Sequence, residues 1–130
     1  MDAMSIPVDV TALDREMVGR PFCYLLTVSD DGRPHAVAVK PVLAAGALTT
    51  EAGSRTTANA SARPAVSLAF PPSEPDGYSL IVDGTADTDG GRIRITPTRA
   101  VLHRPAPEPT AAPTDGSCGS DCVELPEGAW

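Results

Sequence analysis

From Phe22 to Ser29 the chain reads FCYLLTVS, a run of β-forming side chains, and after Asp30, Asp31 and Gly32 a second run extends from Pro34 to Leu43. Two such runs joined by turn residues predict a β-hairpin. Ala47 to Thr50 predicts a short third strand. Gly53 breaks the pattern, and the nine residues from Ser54 to Ala62 (SRTTANASA), ended by Arg63 and Pro64, predict a short helix. Threonine and asparagine are poor interior helix formers, so tertiary contacts must support it. Ala65 to Phe70 predicts a fourth strand, the proline- and acid-rich segment from Pro71 to Gly77 a loop, and Tyr78 to Asp87 a fifth strand. Beyond the turn at Asp89, Gly90 and Gly91, the alternation in RIRIT (Arg92–Thr96) is that of a half-buried strand, and Ala100 to His103 closes the sheet. Near the amino terminus, Thr11 to Met17 predicts a short helix: Thr11 and Asp14 have a capping-box-like spacing, and Leu13 and Met17 share a face. Six or so strands with two short helices indicate a small, mainly β barrel of the α+β kind.

Composition narrows this further. The chain has 130 residues, suited to one domain with a single core. Charge is uneven: residues 105–130 carry five acids and no base, against a net charge of −7 for the whole chain. Five prolines and no periodicity in the same stretch set a Pro-rich acidic tail (105–130) apart from a folded domain (1–104). No basic stripe is present, so neither nucleic acid nor an anionic membrane surface is an expected partner. No apolar run approaches the roughly 20 residues of a membrane-spanning helix, and the first ten residues do not read as a secretory signal, so a cytoplasmic location is expected. Nine of the ten basic residues are arginine, which makes Lys40, the one lysine, stand out.

Two stretches carry candidate chemistry. In PHAVAVK (Pro34–Lys40), strand alternation puts His35, Val37 and Val39 on a core face and Ala36, Ala38 and Lys40 on the other. Two small side chains leading to an ammonium would let a flat ring lie on the backbone; a solvated strand end is the plainer reading. In TTEAGSRTTAN (Thr49–Asn59), a strand passes through Gly53 into a helix amino terminus, where free amides, the helix dipole, the Ser54 hydroxyl and the Arg55 guanidinium suit a phosphate. The same residues also fit an ordinary Ser54 helix cap with Arg55 in solvent. Cys23, Cys118, Cys122 and His103 lack zinc-knuckle spacing, so no metal site is expected, and no hydrolase, zinc-protease or P-loop motif occurs. Paired acids such as Asp30 and Asp31 sit in a turn.

Taken jointly, these stretches resemble the pyridoxamine 5′-phosphate oxidase-like split-barrel family of flavin and deazaflavin oxidoreductases. The resemblance spans about Met17 to His103. The family's strand motif R-x-V-L-x-K falls on His35, Val37, Ala38 and Lys40, its Ser-Arg-Lys clamp on Ser54, Arg55 and Thr56, and its G-x-A pattern on Gly84 to Ala86. It implies a six-stranded antiparallel split β-barrel of Greek-key type, homodimeric, with FMN, or alternatively a deazaflavin, at the subunit interface. Val37, Ala38, Val39 and Lys40 would line the ring, Ser54, Arg55 and Thr56 would hold the phosphate, and Thr49, Thr50 and Asn59 would complete the cofactor-binding set. The implied activity is hydride transfer between the cofactor and a small molecule. A deazaflavin-dependent reductase and a non-catalytic flavin- or haem-binding module are the rival functions. His35 and Thr56 stand where the family has arginine and lysine. The tail has no Arg and no His, which argues against vitamin B6 oxidation. No catalytic side chain is assigned.

Overall fold

The computed structural model describes residues 4–106. Strand β1 (Met4–Val8) leads through one 3-10 turn (Val10–Ala12) into α1, a single turn of α-helix (Leu13–Glu16). Then come β2 (Cys23–Val28), β3 (Pro34–Val39), β4 (Val42–Ala44), β5 (Ala47–Glu51), α2 (Ser54–Ala62), β6 (Ala65–Phe70), β7 (Ser79–Asp89) and β8 (Arg92–Arg104). All pairings are antiparallel, in the order β3-β2-β6-β7-β8-β5-β4, with β1 added along β8. The sheet curls into a half-barrel, and the two short helices complete the fold.

The strand alternation read from the sequence sets the core. Leu25, Leu48, Leu68, Phe70, Leu80, Val82, Ile93 and Ile95 point inward and are almost wholly buried, and Leu13 caps them from α1. Helix α2 is held there by Ala60 and by a buried side-chain pair, in which Asn59 Nδ2 donates to Thr27 Oγ1 at 3.2 Å. That contact with β2 supplies the tertiary support its weak intrinsic propensity demands.

Four expectations need correction. There are eight strands among the described residues, not six. β1 went unanticipated because Pro7 interrupts a short run; proline is tolerated there because β1 lies along the edge of β8. The long run from Pro34 is two strands, broken at Lys40 and Pro41, and β4 turns into β5 through Ala45 and Gly46, both at positive φ (53° and 79°) as a two-residue hairpin turn requires. The two C-terminal segments are one strand, β8. Pro97 looked like a break, but it lies opposite Gly84 where the β7–β8 register shifts, and an irregularity there spares the ladder an amide hydrogen. Finally, Thr11 to Met17 is a 3-10 turn followed by one α-turn. Its cap is Asp9, whose carboxylate accepts from the Thr11 amide (3.0 Å) and hydroxyl (2.8 Å).

Two local features fix the frame around the sheet. An alanine-sized side chain at Gly84 would stand 2.6 Å from Ile95 Cγ2 and 2.7 Å from the Thr96 carbonyl oxygen, so β7 and β8 touch there only because Cβ is absent. Arg20, following α1, donates from Nε to the Glu16 carbonyl (2.8 Å) and from Nη1 to the carbonyls of Pro71 (3.1 Å) and Tyr78 (2.7 Å). It ties both ends of the acidic 71–78 loop to the helix. Cys118, Cys122 and the rest of residues 107–130 lie outside the described residues.

Candidate functional site

The curl of the sheet leaves a gap between β3 and the β4–β5 hairpin, and a hollow of about 870 Å³ lies in it, lined by Phe22, Ala38, Val39, Lys40, Val42, Thr49, Thr50, Glu51 and Arg92. Most of its wall is apolar. Lys40 makes no hydrogen bond or ion pair among the described residues, so its ammonium is available to an anionic or carbonyl oxygen. Arg92 and Glu51 face one another at 3.6 Å, and both are well exposed, so their attraction is weak and either can turn toward a ligand.

A second hollow, about 600 Å³, lies between the amino end of α2 and the β2–β3 turn, lined by Ser29, Asp30, Asp31, Ser54, Arg55, Ala58 and Asn59. Gly53, not Ser54, is the helix N-cap, and no side chain caps the helix. The first intrahelical bond is Thr57 N–H to the Gly53 carbonyl, which leaves the amides of Ser54, Arg55 and Thr56 without a carbonyl one turn back. Arg55 has no hydrogen bond or ion pair among the described residues. The Ser54-cap reading therefore does not hold, and a donor set of three amides, a hydroxyl and a guanidinium fits a phosphate group. Carboxylates temper it: Asp30 pairs with Arg63 (2.7 Å), and Asp31 accepts from the Ser29 hydroxyl, a bond that holds its carboxyl below the usual carboxylate range.

The ten residues expected at the site divide unevenly. Ala38, Val39, Lys40, Thr49 and Thr50 share the first hollow, and Ser54, Arg55 and Asn59 the second. Val37 packs inward against the core and lines neither. Thr56, expected beside Ser54 and Arg55, is 3% exposed and lines neither, because it falls on the inward face of α2; only its amide is at the helix end. Phe22, Val42, Glu51 and Arg92 were not anticipated. Arg92 reaches the hollow through the pairing of β8 with β5 (Glu51 opposite Arg92), which no local pattern announces.

Cys23 is fully buried in β2, and burial pushes its thiol pKa up to about 12, so it is an inert core residue at neutral pH. His103 accepts or shares a hydrogen bond with Ser5 (3.1 Å) across β1 and β8, a structural contact. No cluster of three His, Cys, Asp or Glu side chains occurs among the described residues, and no helix among them is long and apolar enough to cross a membrane.

A curled antiparallel half-barrel with an open, lysine-ended gap between β3 and β5 defines a split-barrel protein. The chain belongs to the pyridoxamine 5′-phosphate oxidase family, whose model matches residues 11–104. An uncharacterised protein of Mycobacterium bovis is 42% identical over 135 residues, covering 89% of this chain and 93% of its own length. Among solved structures, an FAD-binding protein of Mesorhizobium loti superposes with a TM-score of 0.60 at 14% identity, over 78% of this chain and 96% of that one. An FAD-binding protein of Mycobacterium smegmatis does so with a TM-score of 0.57 at 16% identity, over 77% and 97%. An F420 reductase gives 0.50 at 21% identity, over 72% and 93%. These likenesses show the fold.

Proposed function

We propose that this protein is a flavin-type oxidoreductase: a phosphate-bearing isoalloxazine cofactor, FMN or alternatively a deazaflavin, lies with its ring in the first hollow and its phosphate at the amino end of α2. The observation that carries this is the pairing, in one chain of this family, of a large apolar hollow ending at Lys40, which has no partner among the described residues, with a helix end that no side chain among them caps and that bears Ser54 and Arg55. The FAD- and F420-named neighbours are in keeping with a ring of this class. Such a group supplies hydride transfer from its own ring when bound, so no side-chain acid or base is needed. Ala38 lets the ring approach the backbone of β3. Lys40 stabilises negative charge on its polar edge, and Phe22 and Val42 keep water from its face. Ser54, Arg55 and the first-turn amides, including that of Thr56, fix the phosphate. The substrate is a small molecule; the apolar walls favour a flat one.

The visible spectrum of the freshly purified protein, with mass spectrometry of what acid releases, tests the class of cofactor directly. A flavin band or a deazaflavin band is expected, or a spectral change on adding either. Arg55→Ala is expected to weaken FMN binding about ten- to a hundredfold, since a hydrogen bond to a charged group is worth about 1.5–3 kcal/mol. Fluorescence titration of parent and variant measures it, and unchanged affinity would remove the phosphate from α2.

The site is open toward the outer side of β3, and this side continues into a charge-free face. Tyr24 (43% exposed) and Val28 (37%) stand beside the exposed Ala36 and Ala38 and the half-buried Leu26 and Ala69, brought together by the pairings of β2 with β3 and β6. A second copy covering this face makes the protein a homodimer and closes the hollow. Sedimentation should give twice the 13.4 kDa chain mass. Tyr24→Asp should yield monomers that bind FMN more weakly; a parent monomer at micromolar concentration would refute the dimer.

A further inference from the structure

Beside its apolar walls, the hollow between β3 and the β4–β5 hairpin holds three charged side chains, Lys40, Glu51 and Arg92, and strand register sets them in a row. Arg92 lies opposite Glu51 across the β5–β8 pairing. On the other flank, β4 pairs with β5 as far as Val42 opposite Thr49, and that register, carried two residues further, sets Lys40 level with Glu51. The order is cation, anion, cation. The fold uses up none of the three. Arg92 Nη2 and Glu51 Oε2 are 3.6 Å apart, beyond hydrogen-bond length, with 62% and 79% of the two side chains exposed, and Lys40 has no partner among the described residues. Asp89, opposite Arg92 on β7, lines a smaller neighbouring depression and not this hollow.

This order restricts what the polar end of the hollow accepts. A carboxylate ligand would satisfy Lys40 and Arg92 but face Glu51, and an ammonium would satisfy Glu51 but face two cations; like charges brought that close oppose binding. A neutral group escapes both penalties if it presents acceptor, donor and acceptor in the same order. Ionised lysine and arginine only donate, and a carboxylate only accepts, so the match has one polarity. An imide edge, O=C–N(H)–C=O, has that order. The guanidinium has five N–H donors, enough to serve a carbonyl oxygen while it still faces Glu51. Phe22, Ala38 and Val42 line the same hollow and suit a flat ring that carries such an edge.

We propose that Lys40, Glu51 and Arg92 together read the imide edge of the flavin ring, its pyrimidine end, an assignment that rests on the flavin reading above. Lys40 donates to the carbonyl oxygen at C2, the Glu51 carboxylate accepts from N3–H, and Arg92 donates to the carbonyl oxygen at C4. The row thereby fixes which way round the ring lies, with the polar edge among the charges and the rest of the ring along the apolar wall. FMN and a deazaflavin share this edge, so the row recognises the class of ring and leaves the phosphate to the amino end of α2. Thr50, buried beside Glu51, donates from its hydroxyl to the Glu51 carbonyl (3.3 Å) and so steadies the backbone that carries the carboxylate.

Titrate the full-length protein and its variants with FMN and with 3-methyl-FMN, in which a methyl group replaces the N3–H donor, following flavin fluorescence. The parent is expected to bind FMN about tenfold more tightly than 3-methyl-FMN, or better. Glu51→Ala should lower FMN affinity about tenfold and leave 3-methyl-FMN affinity within about twofold, so that the preference disappears. Glu51→Gln, which keeps an acceptor oxygen, should keep part of it. Glu51 is exposed, so both variants should melt close to the parent, which separates a lost contact from a lost fold. Arg55→Ala is the reference: it should weaken both flavins alike and leave their ratio unchanged. If the parent takes the deazaflavin and not FMN, the same comparison is made between the deazaflavin and its N3-methyl derivative. Equal affinities for the two forms in the parent, unchanged FMN affinity in Glu51→Ala, or a preference that survives Glu51→Ala intact would each overturn the row as the reader of the ring and leave the flavin reading standing. No response of the parent to FMN or to the deazaflavin overturns the flavin reading and this assignment with it.

Discussion

Gly84→Ala should destabilise the protein by about 3 kcal/mol or more, at the upper end of what overpacking a close-packed interior costs. The new methyl would lie 2.6 Å from Ile95 Cγ2 and 2.7 Å from the Thr96 carbonyl oxygen, well inside contact distance. Neither neighbour yields easily. Ile95 is fully buried and β-branched, and Thr96 is backbone of β8 in the middle of its pairing with β7. The strands must separate at the irregularity between Asp83 and Gly84, which weakens the longest ladder of the sheet. Urea unfolding of parent and variant measures the change in midpoint at constant slope. Combining Gly84→Ala with Ile95→Val should recover little, because the backbone contact remains. A variant as stable as the parent would mean that β7 and β8 do not approach as described.

Arg20→Ala is the second large effect expected, about 2–4 kcal/mol. The guanidinium donates to three carbonyls, those of Glu16, Pro71 and Tyr78, and hydrogen bonds from a charged donor are worth about 1.5–3 kcal/mol each before the losses are shared among them. Burial also depresses the Arg20 pKa, with Glu16 opposing that shift, and the group keeps its charge throughout the physiological range. For a domain of this size the loss corresponds to a fall of roughly 4–8 °C in melting temperature per kcal/mol. Arg20→Lys should recover only part of it, since an ammonium lacks the planar fork that serves separated carbonyls. Faster proteolysis within residues 71–78 in Arg20→Ala would locate the damage in the loop this side chain anchors. Neither substitution touches the two hollows of the candidate site, so the affinity of folded variant for FMN should match that of the parent, in contrast to Arg55→Ala.

Sequence pattern by itself determined most of the strand framework. Period-two alternation in Cys23–Val28, Ala65–Phe70 and Arg92–Thr96 records which side chains face the core, because a strand with one buried face must repeat every second residue. Ser54–Ala62 was legible as a helix between Gly53 and Pro64 because both of its ends are punctuated chemically, though nothing in its residues explains its stability. Lys40, Ser54 and Arg55 were legible as candidate ligands because each stands where an element ends and its side chain or amides are free. Tertiary structure alone decided the rest. β1 exists because β8 offers it an edge, and Pro97 is absorbed because Gly84 lies opposite. Thr56 is buried because α2 turns that face toward the barrel, which sequence alignment with a clamp motif cannot reveal. Arg92 meets Glu51 and the gap beside Lys40 only through the register of β8 on β5, about forty residues away along the chain. The hollow between β3 and the β4–β5 hairpin is likewise a property of how the sheet curls, since surface concavity arises from elements distant in sequence and leaves no local period to read.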